Sequence, residues 1–166
     1  MGSNCSVLLH ESELEEIKKE TGFSYNQIIR LYSRFTRLDK GSKGFLNKED
    51  FLTIPELAIN PLADRITQAF FTANPKAVNF KTFTRILATF LPHPSKREDK
   101  LKLIFNLYDI DNDKKIHKEE LMTVLQMMVG SNISDKRLAD IVDKTMEASD
   151  IDKDGDIGYE DFKKVL

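Results

Sequence analysis

The sequence predicts an all-α protein in two lobes, and two observations lead to this prediction. Apolar residues recur at steps of three and four along most of the 166 residues, as on the buried face of an amphipathic helix. Between these stretches, four segments share one frame that has an apolar residue at its eighth position. Strand-like patterns are confined to single apolar residues inside those segments. We therefore expect helices that are joined in pairs by short loops.

Six apolar stripes mark the main predicted helices, at residues 28–38, 62–70, 80–90, 101–108, 121–128 and 138–146. Ser24 and Gln27 have the spacing of a capping box ahead of the first stripe. Asn60 followed by Pro61 predicts an N-cap and a first helical turn for the second stripe. Ser134 is expected to cap the sixth helix, and a further short helix is predicted at 12–20.

Two of the four segments carry the oxygen ligands of a cation site. Residues 109–120 read DIDNDKKIHKEE and residues 150–161 read DIDKDGDIGYED, with carboxylates at positions one, three, five and twelve. This is the spacing of an EF-hand loop, in which Ca²⁺ collects roughly six to eight oxygens and the seventh residue contributes its backbone carbonyl. The predicted Ca²⁺ ligands are Asp109, Asp111, Asp113, Lys115 and Glu120 in one loop, and Asp150, Asp152, Asp154, Asp156 and Asp161 in the other.

Both loops depart from the usual pattern at one position. Lys114 stands where glycine normally permits a left-handed turn, at a cost of about 1 kcal/mol, which is small against clustered carboxylates that attract a cation. Asp161 is one methylene shorter than the usual glutamate, so bidentate coordination is harder. We expect residues 109–120 to form the better Ca²⁺ site and residues 150–161 to form a weaker site that also accepts Mg²⁺, which favours six ligands.

The other two segments keep the frame of the loop without its ligands. Residues 39–50, DKGSKGFLNKED, have Gly41 and Lys43 at positions three and five. Residues 71–82, FTANPKAVNFKT, have no carboxylate at all. Because Leu46 and Val78 remain at position eight, they can still bridge the paired loops. We predict an ion-free lobe at 24–91 after a tail at 1–23, a linker at 92–98, and a calcium-binding lobe at 99–166.

Composition excludes several classes of protein. The chain is 40% hydrophobic with a formal net charge of −2, and no basic run suggests nucleic-acid binding. Its apolar stretches are too short to span a bilayer, and its N-terminus lacks the features of a secretory signal. A single cysteine, Cys5, fits a reducing cytosolic setting. Because we find no nucleophilic triad and no glycine-rich phosphate loop, we do not expect an enzyme.

Three further stretches carry a specific resemblance. ETGFS at 20–24, IPELAINPLADRI at 54–66 and MMVGSNISDKRL at 127–138 resemble the calcineurin B homologous protein family, and the similarity runs through nearly the whole chain. Calcineurin B, the nearest family outside it, shares the PEL…NPL and MMVG stretches. The resemblance implies that the first two loops are degenerate, whereas calcineurin B binds Ca²⁺ in all four. It also implies regulation of a plasma-membrane Na⁺/H⁺ exchanger.

The N-terminal sequence MGSNCS fits the pattern for myristoylation at Gly2, which the resemblance also implies. One myristoyl chain holds a membrane only marginally, so a palmitoyl group on Cys5 could supply the second signal. An unmodified thiol in a flexible tail is the alternative for Cys5. The expected location is cytoplasmic, at the inner face of the plasma membrane or endomembranes, and nuclear shuttling is compatible with it.

Some apolar side chains are candidates for a partner groove, because four-hand proteins tend to have more apolar helix surface than two small lobes can bury. The candidates are Phe70, Phe71, Phe83, Phe90, Leu125, Met127 and Met128. The leading interpretation is a non-catalytic regulatory subunit that binds an amphipathic juxtamembrane helix of a Na⁺/H⁺ exchanger. A regulatory subunit or inhibitor of a calcineurin-type phosphatase is the first alternative, and a simple calcium buffer is the second.

Overall fold

The computed structural model describes residues 9–71, 77–92 and 96–166, and within them the chain is mostly helical. The helices are α1 Glu11–Thr21, α2 Tyr25–Leu38, α3 Lys48–Leu52, α4 Pro55–Ala58, α5 Ala63–Phe71, α6 Phe80–Ala88, α7 Arg97–Tyr108, α8 Lys118–Val129, α9 Asp135–Ser149 and α10 Tyr159–Val165. The predicted all-α class is confirmed. Across the described ranges, none of these helices combines the length and the apolar character needed to cross a bilayer.

Four two-residue strands join the loops in pairs. Strand β1, Phe45–Leu46, pairs antiparallel with β2, Val78–Asn79, so that Leu46 lies opposite Val78. Strand β3, Lys115–Ile116, pairs in the same way with β4, Ile157–Gly158. These position-eight side chains are among the most completely buried apolar groups of each lobe. The predicted bridge at position eight is therefore confirmed in both lobes.

Local capping explains where most helices begin. Ser24 caps α2, and the Gln27 side chain accepts a hydrogen bond from the Ser24 N–H at 2.8 Å, as the capping-box spacing predicts. Ser134 occupies the predicted N-cap position of α9, but its side chain makes no capping hydrogen bond to the described residues. The second stripe differs from the prediction, because α5 begins at Ala63 and Pro61 lies in the preceding turn. There the Asn60 side chain accepts a hydrogen bond from the Leu62 N–H at 2.9 Å.

The predicted boundary between the tail at 1–23 and the lobe at 24–91 separates α1 from the first lobe, although α1 packs into that lobe. Helix α1 buries Leu14 and Ile17 in the core of the first lobe. Its exposed face contributes Glu20, which forms an ion pair with Arg85 of α6 at 2.7 Å. The first lobe therefore includes α1.

The predicted linker at 92–98 is too long at its C-terminal end. Helix α7 begins at Arg97, and Glu98 and Asp99 fill its first turn, where carboxylates interact favourably with the positive end of the helix dipole. Residues 93–95 of that linker lie outside the described part of the chain.

Candidate metal centre

Three of the four loops share one backbone shape whether or not they carry the full set of ligands. We call residues 39–50, 71–82, 109–120 and 150–161 loops one to four. In loops one, three and four, the residues at positions four and six all have positive φ angles: Ser42 and Gly44, Asn112 and Lys114, and Lys153 and Gly155. Lys114 therefore adopts, at φ 73°, the left-handed conformation for which loop four uses Gly155. The missing glycine does not prevent the turn.

In loop three the residue at position twelve, Glu120, reaches back to the start of the loop. One carboxylate oxygen of Glu120 accepts hydrogen bonds from the backbone N–H groups of Ile110, at 2.7 Å, and Asp111, at 3.2 Å. Its other oxygen accepts a bond from the His117 N–H at 2.8 Å. Oxygens of Asp109, Asp111 and Glu120 lie within 4.8 Å of one another. The loop thus brings the first, third and twelfth ligands to one point.

Asp109 shows that this point suits a cation. Its Oδ2 accepts a hydrogen bond from Lys114 N–H at 3.0 Å, but its Oδ1 is buried and accepts no hydrogen bond from any residue that the structure describes. Burial raises the pKa of Asp109, and the negative charges of Glu120 and Asp113 raise it further. Hydrogen bonds from backbone N–H groups lower this pKa, but the net shift is upward. A buried carboxylate oxygen without a partner costs free energy until something satisfies it. Together with the all-oxygen donor set, this fits Ca²⁺, which would bind through Asp109, Asp111, Asp113, Glu120 and the Lys115 carbonyl.

Loop four assembles a similar set but closes less tightly. Oxygens of Asp150, Asp152 and Asp161 lie within 4.8 Å of one another. The hydrogen bond that Asp161 accepts comes from Gly158 N–H at 3.3 Å, only three residues away, whereas Glu120 reaches across its whole loop. This difference matches the shorter side chain of Asp161.

Two cations of loop three contact the ligands of both loops. The Lys115 ammonium lies 2.7 Å from Asp154 and lowers the pKa of that carboxyl. The His117 imidazole lies 2.7 Å from Asp156 and 2.9 Å from Asp113, and these hydrogen bonds raise the pKa of His117 to about 9. His117 is therefore protonated at neutral pH and acts as a counter-ion.

Loop one holds a cation of its own. The Lys43 ammonium, at loop position five, donates to Asp50 at position twelve over 2.8 Å. Asp39 accepts hydrogen bonds from Gly44 N–H at 2.7 Å and Lys43 N–H at 3.0 Å. Burial raises the pKa of Asp50, but the hydrogen bonds from Asn47 N–H and the Lys43 ammonium outweigh it and leave that pKa below its usual range. The sequence pattern shows Lys43 only as a lost ligand and does not reveal its bond to Asp50.

Loop two is described only in part, since residues 72–76 lie outside the described ranges. Its first residue, Phe71, ends α5 and is buried against the Phe51 ring with centroids 5.3 Å apart. Its last residue, Thr82, donates its backbone N–H to the Asn79 side chain at 2.9 Å. Neither end offers a carboxylate to a metal.

The predicted groove residues fall into four groups. Phe70, Phe83 and Phe90 line an apolar groove of about 480 Å³ in the first lobe, whereas Phe71 belongs to the core beneath it. Leu125 packs against the core of the second lobe, and Met127 and Met128 are exposed on α8. Sequence analysis missed the rest of the lining, although Leu31, Ile66 and Leu87 belong to the recognised apolar stripes. The missed residues are Phe23, Leu31, Arg34, Phe51, Ile54, Leu57, Ile66 and Leu87.

The predicted acylation sites, Gly2 and Cys5, lie outside the described residues.

Comparison with known proteins adds a family to this geometry. A family model described as an EF-hand domain pair matches residues 98–166. The chain is 47% identical over 166 residues to the calcineurin B subunit of Naegleria gruberi, and the match covers 100% of this chain and 93% of the relative. It is 45% identical over 162 residues to the type 2 calcineurin B subunit of Dictyostelium discoideum, covering 98% and 87%. It is also 42% identical over 153 residues to the calcineurin B subunit of Candida glabrata, covering 92% and 87%.

The matched domain pair contains loops three and four, and the named relatives extend the similarity over both lobes. EF-hand loops of this composition bind Ca²⁺. The chain therefore belongs to the calcineurin B-related family of EF-hand proteins.

Proposed function

We propose that this chain is the calcium-binding regulatory subunit of a calcineurin-type phosphatase and that it holds an amphipathic helix of the catalytic subunit in an apolar groove. The groove of the first lobe is the observation that carries this proposal. This groove is open in a lobe whose loop one is held together by the ion pair between Lys43 and Asp50. The relatives matched over nearly their whole length are named as calcineurin B subunits, which supports a non-catalytic role and this partner.

The lining of the groove suits a helix with regularly spaced apolar anchors. Phe51 and Phe83 are buried at its base, while Phe90 is 55% exposed at the rim. Phe90 stacks on Phe70 with centroids 6.5 Å apart, so the exposed ring has a fixed support. Partner residues at i, i+3 or i+4, and i+7 would place their side chains along such a groove.

A Na⁺/H⁺ exchanger helix is the partner that the sequence resemblance implies, and the degenerate loops one and two are the feature that favours it. The calcineurin B relatives favour the phosphatase instead. A simple calcium buffer would gain nothing from a preformed groove, which makes this alternative the weakest of the three.

Titration with two synthetic helices separates these functions. One helix is taken from a calcineurin catalytic subunit and the other from the juxtamembrane region of an exchanger, each added to the calcium-loaded full chain in a calorimeter. We expect the phosphatase helix to bind tightly. Phe90→Ala should weaken its affinity by about tenfold or more, as expected for an aromatic anchor that the partner helix buries. Ile59→Ala is the matched control, because Ile59 is 85% exposed and is not among the groove-lining residues. Preference for the exchanger helix would replace the proposed partner, and binding of neither would favour the buffer.

For the metal we propose two sites, a Ca²⁺ site in loop three and a weaker site in loop four that also accepts Mg²⁺. The ligand clusters in the described ranges support this, because they lie in loops three and four. Calorimetric titration of the full chain should show at most two high-affinity Ca²⁺ sites. A third strong site would show that the first lobe binds calcium after all.

For the N-terminus we propose a myristoyl group on Gly2, which would place the protein at a membrane surface. Mass spectrometry of the chain made in eukaryotic cells would detect the added mass, and Gly2→Ala should remove it. Digestion and mapping of Cys5 in the same sample would show whether a second acyl chain is present.

A further inference from the structure

Arg65 crosses from the first lobe to the entrance of the loop three calcium site. It lies on α5 and is 6% exposed. Its guanidinium donates to the backbone carbonyls of Leu107, at 3.0 Å, Asn106, at 2.9 Å, and Asp109, at 2.8 Å. A fourth bond, to the Gln68 side chain at 2.8 Å, holds the guanidinium from its own helix.

These carbonyls form the C-terminal end of α7 and the first residue of loop three. The last four carbonyls of a helix have no intrahelical partner and carry the negative end of the helix dipole. The planar fork of a guanidinium can satisfy several of them at once, which a lysine ammonium cannot do in the same geometry. Arg65 thus fixes the backbone from which the Asp109 side chain projects.

We propose that Arg65 is a positioning residue of the loop three calcium site, supplied by the other lobe. This inference rests on the calcium site proposed for loop three. Asp109 Oδ1 is buried and ready for a cation, and the main chain of the same residue is held by Arg65. Arg65 would not touch the metal, and it acts by keeping the first ligand in place before the metal arrives.

A second effect of the same residue has the opposite sign. Arg65 is positively charged and lies close enough to Glu120 and Asp109 to interact with their carboxylate charges, so its charge also repels an incoming Ca²⁺. Positioning predicts that loss of Arg65 weakens calcium binding, whereas repulsion predicts that it strengthens binding. Residues that orient metal ligands are commonly worth about tenfold to a hundredfold in metal affinity, so we expect positioning to dominate.

The substitutions Arg65→Lys and Arg65→Met separate the two effects. Calcium titration of the full chain is followed by the backbone amide resonances of Ile116 and Ile157, which report loops three and four separately. Both variants should weaken loop three by roughly tenfold and affect loop four less. Arg85→Met is the matched control, because Arg85 is an exposed arginine of the same lobe that pairs with Glu20. It should leave both loops unchanged.

Each alternative outcome overturns the inference. Wild-type affinity in Arg65→Lys with tighter binding in Arg65→Met would show that charge alone matters. Equal weakening of both loops would indicate a general loss of lobe stability, and unchanged affinity in both variants would remove any role. If Arg65→Met fails to fold, circular dichroism will show it, and Arg65→Lys still decides the matter. If calcium does not shift the Ile116 amide resonance of the wild-type chain, loop three is not a calcium site, and the proposed site itself is wrong.

Discussion

Loops one and three have the same backbone shape, but their side chains at position five have opposite charges. In each, the first aspartate accepts a hydrogen bond from the N–H of residue six, and the twelfth residue accepts one from the N–H of residue nine. At position five, however, loop one has Lys43 and loop three has Asp113. The Lys43 ammonium contacts Asp50 at 2.8 Å, while Asp109 of loop three keeps a buried oxygen that has no hydrogen-bond partner among the described residues. The twelfth carboxylate of loop one is paired with a cation of the chain, whereas the buried first carboxylate of loop three is left for a cation from solution.

This comparison explains how a lobe can keep the form of a calcium site without calcium. A tethered ammonium neutralises the twelfth-position carboxylate at any calcium concentration, so the first lobe does not need to respond to the ion. The carboxylates of loop three repel one another until a cation arrives. We therefore regard the first lobe, which contains the groove, as fixed and the second lobe as the part that calcium orders.

The largest expected effect comes from Glu120→Gln. The amide keeps the shape of the side chain but removes the charge and the second carboxylate oxygen, so calcium binding at loop three should be abolished. Isothermal titration calorimetry should then detect at most the loop four site. Glu119→Gln, which changes an exposed neighbour, is the control and should bind like the wild type. Unchanged affinity in Glu120→Gln would mean that loop three takes its twelfth ligand from elsewhere.

A smaller effect is expected from Asp161→Glu in loop four. The extra methylene lets the carboxylate reach across the loop as Glu120 does, so the preference for Ca²⁺ over Mg²⁺ should rise severalfold, by roughly 1 kcal/mol. Competition titrations of the two ions measure this ratio directly. Glu160→Asp alters the exposed adjacent carboxylate and serves as the control. A ratio that stays constant or falls would contradict our account of the short side chain.

Loop one is tested by Lys43→Met, which keeps much of the length of the side chain and removes the ammonium. The Asp50 side chain is only 10% exposed, so its charge would remain in a poorly solvated place. We expect the first lobe to lose about 1 kcal/mol of stability, measured by urea denaturation with calcium held in excess. Lys48→Met, in the same segment but exposed, should change stability little. Equal stability of Lys43→Met and the wild type would show that the ion pair does not hold the loop.

The same pair predicts a modest pH dependence. Folding lowers the pKa of Asp50 from its usual value of 3.8, so this carboxylate stabilises the folded chain above that pH and stops doing so as pH falls through the lowered value. The difference in unfolding free energy between the wild type and Lys43→Met should therefore be constant from pH 7 to about pH 5 and shrink below about pH 4. Urea denaturation at a series of pH values measures it. A difference that grows on acidification would contradict the assignment.

Much of the fold follows from local patterns in the sequence. The stripes and capping residues place the long helices, and the frame of the loop places the bridges at Leu46 and Val78. Sequence analysis predicted neither α3 nor α4, although Pro55 at the first position of α4 is a signal for the start of a helix. The packing of α1 on α6 depends on partners 65 residues apart, such as Glu20 and Arg85, which no local pattern shows.

The carboxylate clusters of loops three and four could be predicted for a similar reason, because the spacing of the candidate ligands lies within twelve consecutive residues. The roles of Lys43, His117 and Arg65 could not. The roles of Lys43 and His117 depend on the side-chain conformation that each residue adopts inside its loop. Arg65 depends on how one lobe meets the other, 41 to 44 residues further along the chain. The groove was predicted as a set of apolar residues, but which of them stay exposed is decided by packing between helices.

Amide hydrogen exchange with and without calcium tests the contrast between the two lobes most directly. Removal of calcium with a chelator should accelerate exchange at 109–120 and 150–161, where carboxylates lose their cation. Exchange at 39–50 and 77–82 should remain nearly unchanged, because Lys43 stays in place and the Leu46–Val78 bridge does not depend on an ion. Equal acceleration in both lobes would show that the first lobe depends on the metal and would contradict the account of its built-in cation.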